Sequence, residues 1–313
     1  MRSSRALPRM VLSLLGLTGL AFLYVMLVPP RTVPRRAHPR TATVPAPENA
    51  WTEYSQALAD LGRETAPTWL REATTSSGLT GEQRAYLARH LQALAHLRAG
   101  SARARFEFFE EVPTMATPVP DLQRLRQLAE LAAAEARRLR DAGDAAGALE
   151  LGTMAYHYGT DLAQLDAGLL LPVTAAGCRR SAAMALFASL GEGAPAASIA
   201  RAARTVALED GRMPSAWHAT ESEWRLIDRT VEDGFLGAQA GPAGPSAFRL
   251  RVFASFRRQH DAVLDEARPL LEAWDFPGLQ SLDERMLPRL QARASPWRSV
   301  FMVDNMAARI AAG

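Results

Sequence analysis

Two apolar stripes of the same spacing, separated by a short run of polar and small residues, constrain this chain more than any other feature. Leu122, Leu125, Ala129, Ala132, Ala136 and Leu139 recur three and four residues apart. Ala148, Leu151, Ala155, Tyr158, Leu162, Leu165 and Leu169 do the same. That period puts each set on one face of an α-helix. Between the stripes lies DAGDAAG, residues 141–147. A calcium loop opening at Asp141 needs oxygen ligands at 143 and 145 and a Glu at 152, where the chain has Gly143, Ala145 and Gly152. A phosphate loop needs G-x-G-x-x-G or a Gly-Lys pair, and neither is present. The run therefore reads as a turn. Asp141 and Gly143 end one helix, Asp144 caps the next, and the two form an antiparallel hairpin. The Ala on both stripes predicts close approach of the two backbones. Pro172 is expected to end or kink the second helix.

The rest of the chain reads as helix too. No alternating apolar–polar run bounded by hairpin turns occurs, Ile is scarce and Ala dominates. Asn49 is placed to cap a helix that Gly62 closes. Thr80 and Gln83 form a capping box for a helix predicted to run to Gly100. Pro195, Pro214 and Pro296 each suit a first helical turn. The run from Gly234 to Ser246 is the longest loop and the best internal boundary. The expected class is all-α: a transmembrane helix, a Pro-rich stalk, then an irregular bundle of antiparallel helical hairpins over 48–313.

Residues 1–9 form a short basic head, and 10–28 read as a membrane anchor. Val11 to Val28 carries no charge. As a helix it rises about 27 Å, close to the roughly 30 Å hydrocarbon core. A cleaved signal peptide would show a shorter apolar core and a small-residue cleavage site, whereas PPRTVPRR follows here. Residues 29–47 hold six Pro and read as a linker, with a polyproline II reach of up to roughly 60 Å. Arg2, Arg5 and Arg9 precede the span, and Arg31, Arg35, Arg36 and Arg40 follow it. The positive-inside rule is therefore close to a tie. The expected topology is single-pass in the bacterial inner (cytoplasmic) membrane with the body outside. The alternative keeps the body in the cytoplasm, with the second Arg cluster against anionic lipid.

The hairpin over 128–156, with its Gly143-Asp144 turn and Ala148, resembles a tetratricopeptide-repeat unit, though no 34-residue period recurs elsewhere. The wider layout, with Asn49, Ala50 and Tyr54 opening the body, resembles uncharacterised single-span helical proteins of high-GC bacteria. That resemblance implies no assigned chemistry.

Composition excludes several functions. Every one of the 36 basic residues is Arg. Schiff-base, pyridoxal-phosphate and Walker-type lysine chemistry is therefore out of reach. Seven Arg lie in the acid-free residues 1–47, so the body sets 29 Arg against all 33 acids. That balance makes no case for nucleic-acid binding by the body. Cys178 is the sole cysteine, which rules out intrachain disulfides and Cys-rich zinc sites, and it reads as a buried small residue.

Several pairs still carry chemical potential. His218 and Glu221, flanked by Trp217 and Trp224, share a helix face, as a metal half-site or acid–base pair would. Glu221-Ser222 resembles the Glu-Ser of lytic transglycosylases, with PGLQS at 277–281 a faint echo of another of that family's motifs. The blander reading is a helix with two core Trp and a solvated His/Glu edge. His157 and Asp161 read as a surface pair at i,i+4 spacing. His260 shares a stripe with Phe253 and Phe256 and reads as a core histidine. The segment RFEFFEEV, 105–112, reads as a helix end meeting the core, with a peptide-binding lip as the alternative. Residues 169–191 resemble a second span, but Arg179 and Arg180 near their centre favour a buried soluble helix. No catalytic residue, cofactor or metal site is assigned. The expected function is non-catalytic binding or scaffolding in the cell envelope, with a bilayer partner and a protein or peptide partner. The alternatives are an envelope (peptidoglycan-type) hydrolase using Glu221 with His218, and a cytoplasmic-facing adaptor.

Overall fold

A computed structural model describes residues 44–285, apart from 63, 74–77, 109–112, 115, 166, 192, 237–246, 274, 276 and 283. The anchor expected at 10–28, most of the linker, Pro296 and most of the 234–246 loop lie outside the described residues. The described chain is all-α, with one isolated bridge between Asn49 and Arg105. No described helix is long and apolar enough to cross a membrane.

The helices run in the order α1 (Ala50–Asp60), α2 (Trp69–Glu72), α3 (Gly81–Arg89), α4 (Leu91–Ser101), α5 (Leu122–Asp141), α6 (Ala145–Ala163), α7 (Leu170–Ser189), α8 (Ala196–Gly211), α9 (Ala216–Leu236) and α10 (Ala247–Glu272). They divide into two compact units, with the boundary between Leu226 and Ile227, inside α9. The first residues of the Gly-rich run, Gly234 to Leu236, continue the helix.

In the unit before the boundary, α5 is the central element. It packs against α6 and α7 along its length and touches α1 to α4 as well. Ten consecutive residues, Gln127 to Ala136, are buried. Leu125, Leu128 and Leu131 are fully enclosed, each stabilising the fold by about 1.5–3 kcal/mol.

The α5–α6 turn has the expected form. Gly143 takes φ +84°. The Asp144 N–H donates to Leu139 O and the Gly143 N–H to Arg140 O, each at 2.9 Å. These two bonds make a Schellman close. The Asp144 carboxylate then accepts the Gly147 N–H at 2.8 Å and caps α6. Within the helices both stripes are buried except for the half-buried Leu122 and Leu139 at the ends of α5, and the small residues let α6 and α7 approach closely. A Cβ on Gly159 would stand 3.1 Å from the Arg179 backbone nitrogen and 3.3 Å from the Ala175 carbonyl oxygen.

Four local expectations are corrected. The helix predicted to end at Gly100 is broken at His90, which separates α3 from α4. Gly100 lies within α4 because the Tyr54 ring fills the space its side chain would need. Residues 105–108 are extended, not a helix end, and Phe106 and Phe108 pack edge-on or tilted against Trp51 and Tyr54. α6 ends at Ala163, before Leu165 and Leu169, and Pro172 sits in the first turn of α7, where its missing N–H costs nothing. α7 is buried on one face only. Leu170, Val173 and Phe187 are exposed on the other.

The extended segment explains Asn49. Its side-chain oxygen accepts the Trp51 and Glu107 N–H groups, and its Nδ2 donates to Glu107 O. One residue both caps α1 and holds 105–107. The Ala50 N–H donates to Arg105 O at 2.8 Å.

Gly159→Ala lowers stability by about 1–3 kcal/mol, because the new methyl group meets backbone that cannot retreat. An open helical site would instead gain about 1 kcal/mol from the same change. Urea denaturation of the two proteins measures the sign.

Candidate functional site

Of the polar constellations among the described residues, three differ in whether their groups are satisfied. The first centres on Asp161 of α6, whose side chain is 3% exposed. Tyr54 Oη donates to its Oδ2 at 2.9 Å and Arg212 Nη2 to its Oδ1 at 3.1 Å. His157 lies one turn earlier. Its Nδ1 is 2.8 Å from Glu209 Oε1, and its Nε2 lies 3.3 Å from Asp161 Oδ2 without hydrogen-bond geometry. Arg212 also grips Glu209 through Nη1.

Burial pushes the Asp161 carboxyl up against the pull of His157, Tyr54 and Arg212. Burial, then the neighbouring Asp161 charge, raises Tyr54 well above the ordinary phenol range. Beside this cluster, Tyr156 Oη donates to Asp210 at 2.7 Å while Arg179 lies over the Tyr156 ring and bonds both. The expected surface pair of His157 and Asp161 is therefore corrected. It belongs to a mostly buried network that fastens α1 and α8 to α6. The sequence could not show this, because Tyr54 and Arg212 lie far from Asp161 along the chain.

The second constellation lies in the unit after the boundary. Arg257 of α10 donates to both Asp228 oxygens at 2.9 and 2.8 Å and to Glu232 at 3.0 Å. All three side chains are buried. This bidentate strut ties α10 to α9.

The third is open. Ala66 and Arg71 on one side, Leu122, Gln123, Arg126 and Glu130 of α5, and Thr174 of α7 line a cleft of about 280 Å³. Glu130 is placed there by the enclosure of α5. Its side chain is 7% exposed, and its Oε1 stands 3.7 Å from both Arg71 Nε and Arg126 Nη2. These separations exceed hydrogen-bond length. Gln127, three residues earlier, donates to Tyr86 Oη, and Glu135 takes two bonds from Arg138, so the other buried polar groups of α5 are paired. Burial raises the Glu130 carboxyl against the attraction of Arg126 and Arg71. Thr174 Oγ1 donates to Leu170 O and keeps acceptor capacity for the cleft. A shifted buried carboxylate lining a cleft is a recognised mark of a functional site. The sequence reading missed it, because the only local signal is a Glu on a stripe that is otherwise apolar and small.

The sequence-predicted residues fall elsewhere. Glu221 pairs with Arg225 at 2.9 Å on a partly exposed face of α9. Ser222 is buried and its Oγ accepts the Gly168 N–H, while Glu223 accepts the Leu169 N–H. Glu221-Ser222-Glu223 thus sits where it secures the α6–α7 connection. Trp217, His218 and Trp224 are half-buried. The side chain of His260 lies outside the described residues. Cys178 is buried, its thiol pushed up to about 12 chiefly by burial. No group of three or more His, Cys, Asp or Glu able to hold a metal ion occurs among the described residues.

No family model matches the chain, and no curated protein or solved structure shows significant similarity to it.

Tyr54→Phe removes one donor from a carboxylate that water barely reaches. It lowers stability by about 1–3 kcal/mol without changing the denaturant slope, as read from paired urea titrations.

Proposed function

We propose that the protein is a single-span protein of the bacterial inner membrane whose helical body is a non-catalytic binding module in the cell envelope. The uncharged segment 11–28 and the Pro/Arg-rich linker support the anchor. The observation that carries the binding role is Glu130: a buried carboxylate, without a hydrogen bond, facing a cleft between two guanidiniums. Every other buried acid among the described residues has close partners. Arg71 and Arg126 supply forks for a carboxylate. Glu130 supplies an acceptor for an ammonium, and Gln123 and Thr174 line the same space. The cleft lies at the lower end of ligand-pocket volumes, which suits a small molecule better than a folded domain. The matching ligand class is a zwitterion of α-amino-acid type, with both charged groups on one carbon. Nothing in the cleft is arranged as a nucleophile with its base, so the ligand is held, not converted.

The test is thermal unfolding of the full chain in detergent with glycine, L-alanine and L-glutamate, and with acetate and methylammonium as the two half-ligands. At about ten times the dissociation constant a bound zwitterion adds roughly 1.4 kcal/mol, a rise of roughly 3–6 °C. Neither half-ligand reproduces it, and Glu130→Gln abolishes it. Equal effects from the half-ligands, or none from any amino acid, overturn the reading.

A further inference from the structure

The face of α7 left exposed among the described residues has a composition that restricts what can lie against it. Leu170, Val173, Met184 and Phe187 follow the three-and-four spacing of one helical face, with Gly177 and Arg180 between them on the same line. Val173 is 69% and Phe187 77% exposed, and Leu190 just beyond the helix is 47% exposed. The opposite face, with Leu171, Ala175, Cys178 and Ala182, is buried against the core. From Val173 to Phe187 the exposed stripe extends about 21 Å.

Charge selects the occupant. α7 carries Arg179 and Arg180 and no acid; Arg179 is engaged by Tyr156 and Asp210, which leaves Arg180 as the charge on the exposed stripe. Arg180 is exposed at the centre of the stripe. A second copy docked two-fold on this face would bring Arg180 against its own equivalent, with no acid on α7 to neutralise either. The C-terminal segment 286–313 is also basic, with four Arg and one Asp. An anionic bilayer meets both demands. Apolar side chains enter the acyl boundary, while Arg180 extends its stem over them and puts its guanidinium among the phosphates. The linker at 29–47, acid-free and carrying four Arg, has the same sign preference.

We propose that the α7 face bearing Leu170, Val173, Arg180, Met184 and Phe187 lies on the surface of an anionic bilayer, so that the body rests on the membrane instead of standing off on its linker. This rests on the anchor reading for proximity to the bilayer, and it is independent of the cleft.

The experiment places a nitroxide on the full chain in lipid nanodiscs at Phe187→Cys, in a Cys178→Ala background, with Glu150→Cys on exposed α6 surface as the aqueous control. Accessibility to oxygen and to a water-soluble nickel chelate is read by power saturation. In phosphatidylglycerol discs, position 187 favours oxygen several-fold and position 150 favours the chelate. Arg180→Glu returns position 187 to the aqueous pattern. Chelate access at 187 in anionic discs overturns the proposal while leaving the anchor intact. Shielding of 187 from both reagents, unchanged between detergent and discs, overturns it in favour of a protein cover. A chain that does not enter the disc fraction sinks both the proposal and the anchor. Phe187 is exposed, so its replacement leaves the core unaltered.

Discussion

The enclosure of α5 is the constraint on which the first unit depends. A helix buried over ten consecutive residues cannot be amphipathic in the ordinary sense, and its polar side chains must find partners inside the protein. Small residues solve the steric half of that demand. Ala129, Ala132, Ala133, Ala134 and Ala136 let α6 and α7 close on α5, and Gly159 lets α6 and α7 close on each other. The polar half is solved residue by residue. Gln127 reaches Tyr86, and Glu135 reaches Arg138. Glu130 alone among them faces open space, flanked by charges that stop short of hydrogen-bonding it.

That contrast separates architecture from function. In the Asp161 cluster and the Asp228–Glu232–Arg257 strut the charged groups are spent on one another. Such buried networks hold elements in place at considerable desolvation cost. The cleft leaves its charges without hydrogen bonds to one another. An incomplete constellation on a rigid helix is what a binding site requires, and α5 is the most constrained helix of its unit. The exposed stripe on α7 is the apolar counterpart: surface left open by the described residues.

Local signals in the sequence were legible where the physics is local. The period of the two stripes, the Gly143-Asp144 turn, the Thr80–Gln83 capping box and the Asn49 cap all depend on residues within five positions of one another. Features set by distant partners were not. Gly100 looked like a helix stop because nothing near it in sequence shows that Tyr54 occupies its side-chain space. Asp161 looked like half of a surface pair because Tyr54, Glu209 and Arg212 come from other helices. Pro172 looked like a breaker of the second stripe, but the chain had already turned, with Ser222 and Glu223 holding the Gly168 and Leu169 amides. The Glu130 cleft was hidden for the same reason, since Arg71 comes from a short helix with no pattern linking it to α5.

Binding at the cleft requires Glu130 to be a poised group at an open space, not a member of a closed ion triad. The direct measurement is a carbon-13 NMR titration of the Glu130 side-chain carboxyl in the ligand-free full chain, assigned by comparison with Glu130→Gln. The account predicts a midpoint above that of an ordinary glutamate, because burial outweighs the two guanidiniums that stand out of hydrogen-bonding range. A midpoint at or below the ordinary value would show that Arg71 and Arg126 close on Glu130 in solution. The cleft would then be a strut like the other two constellations.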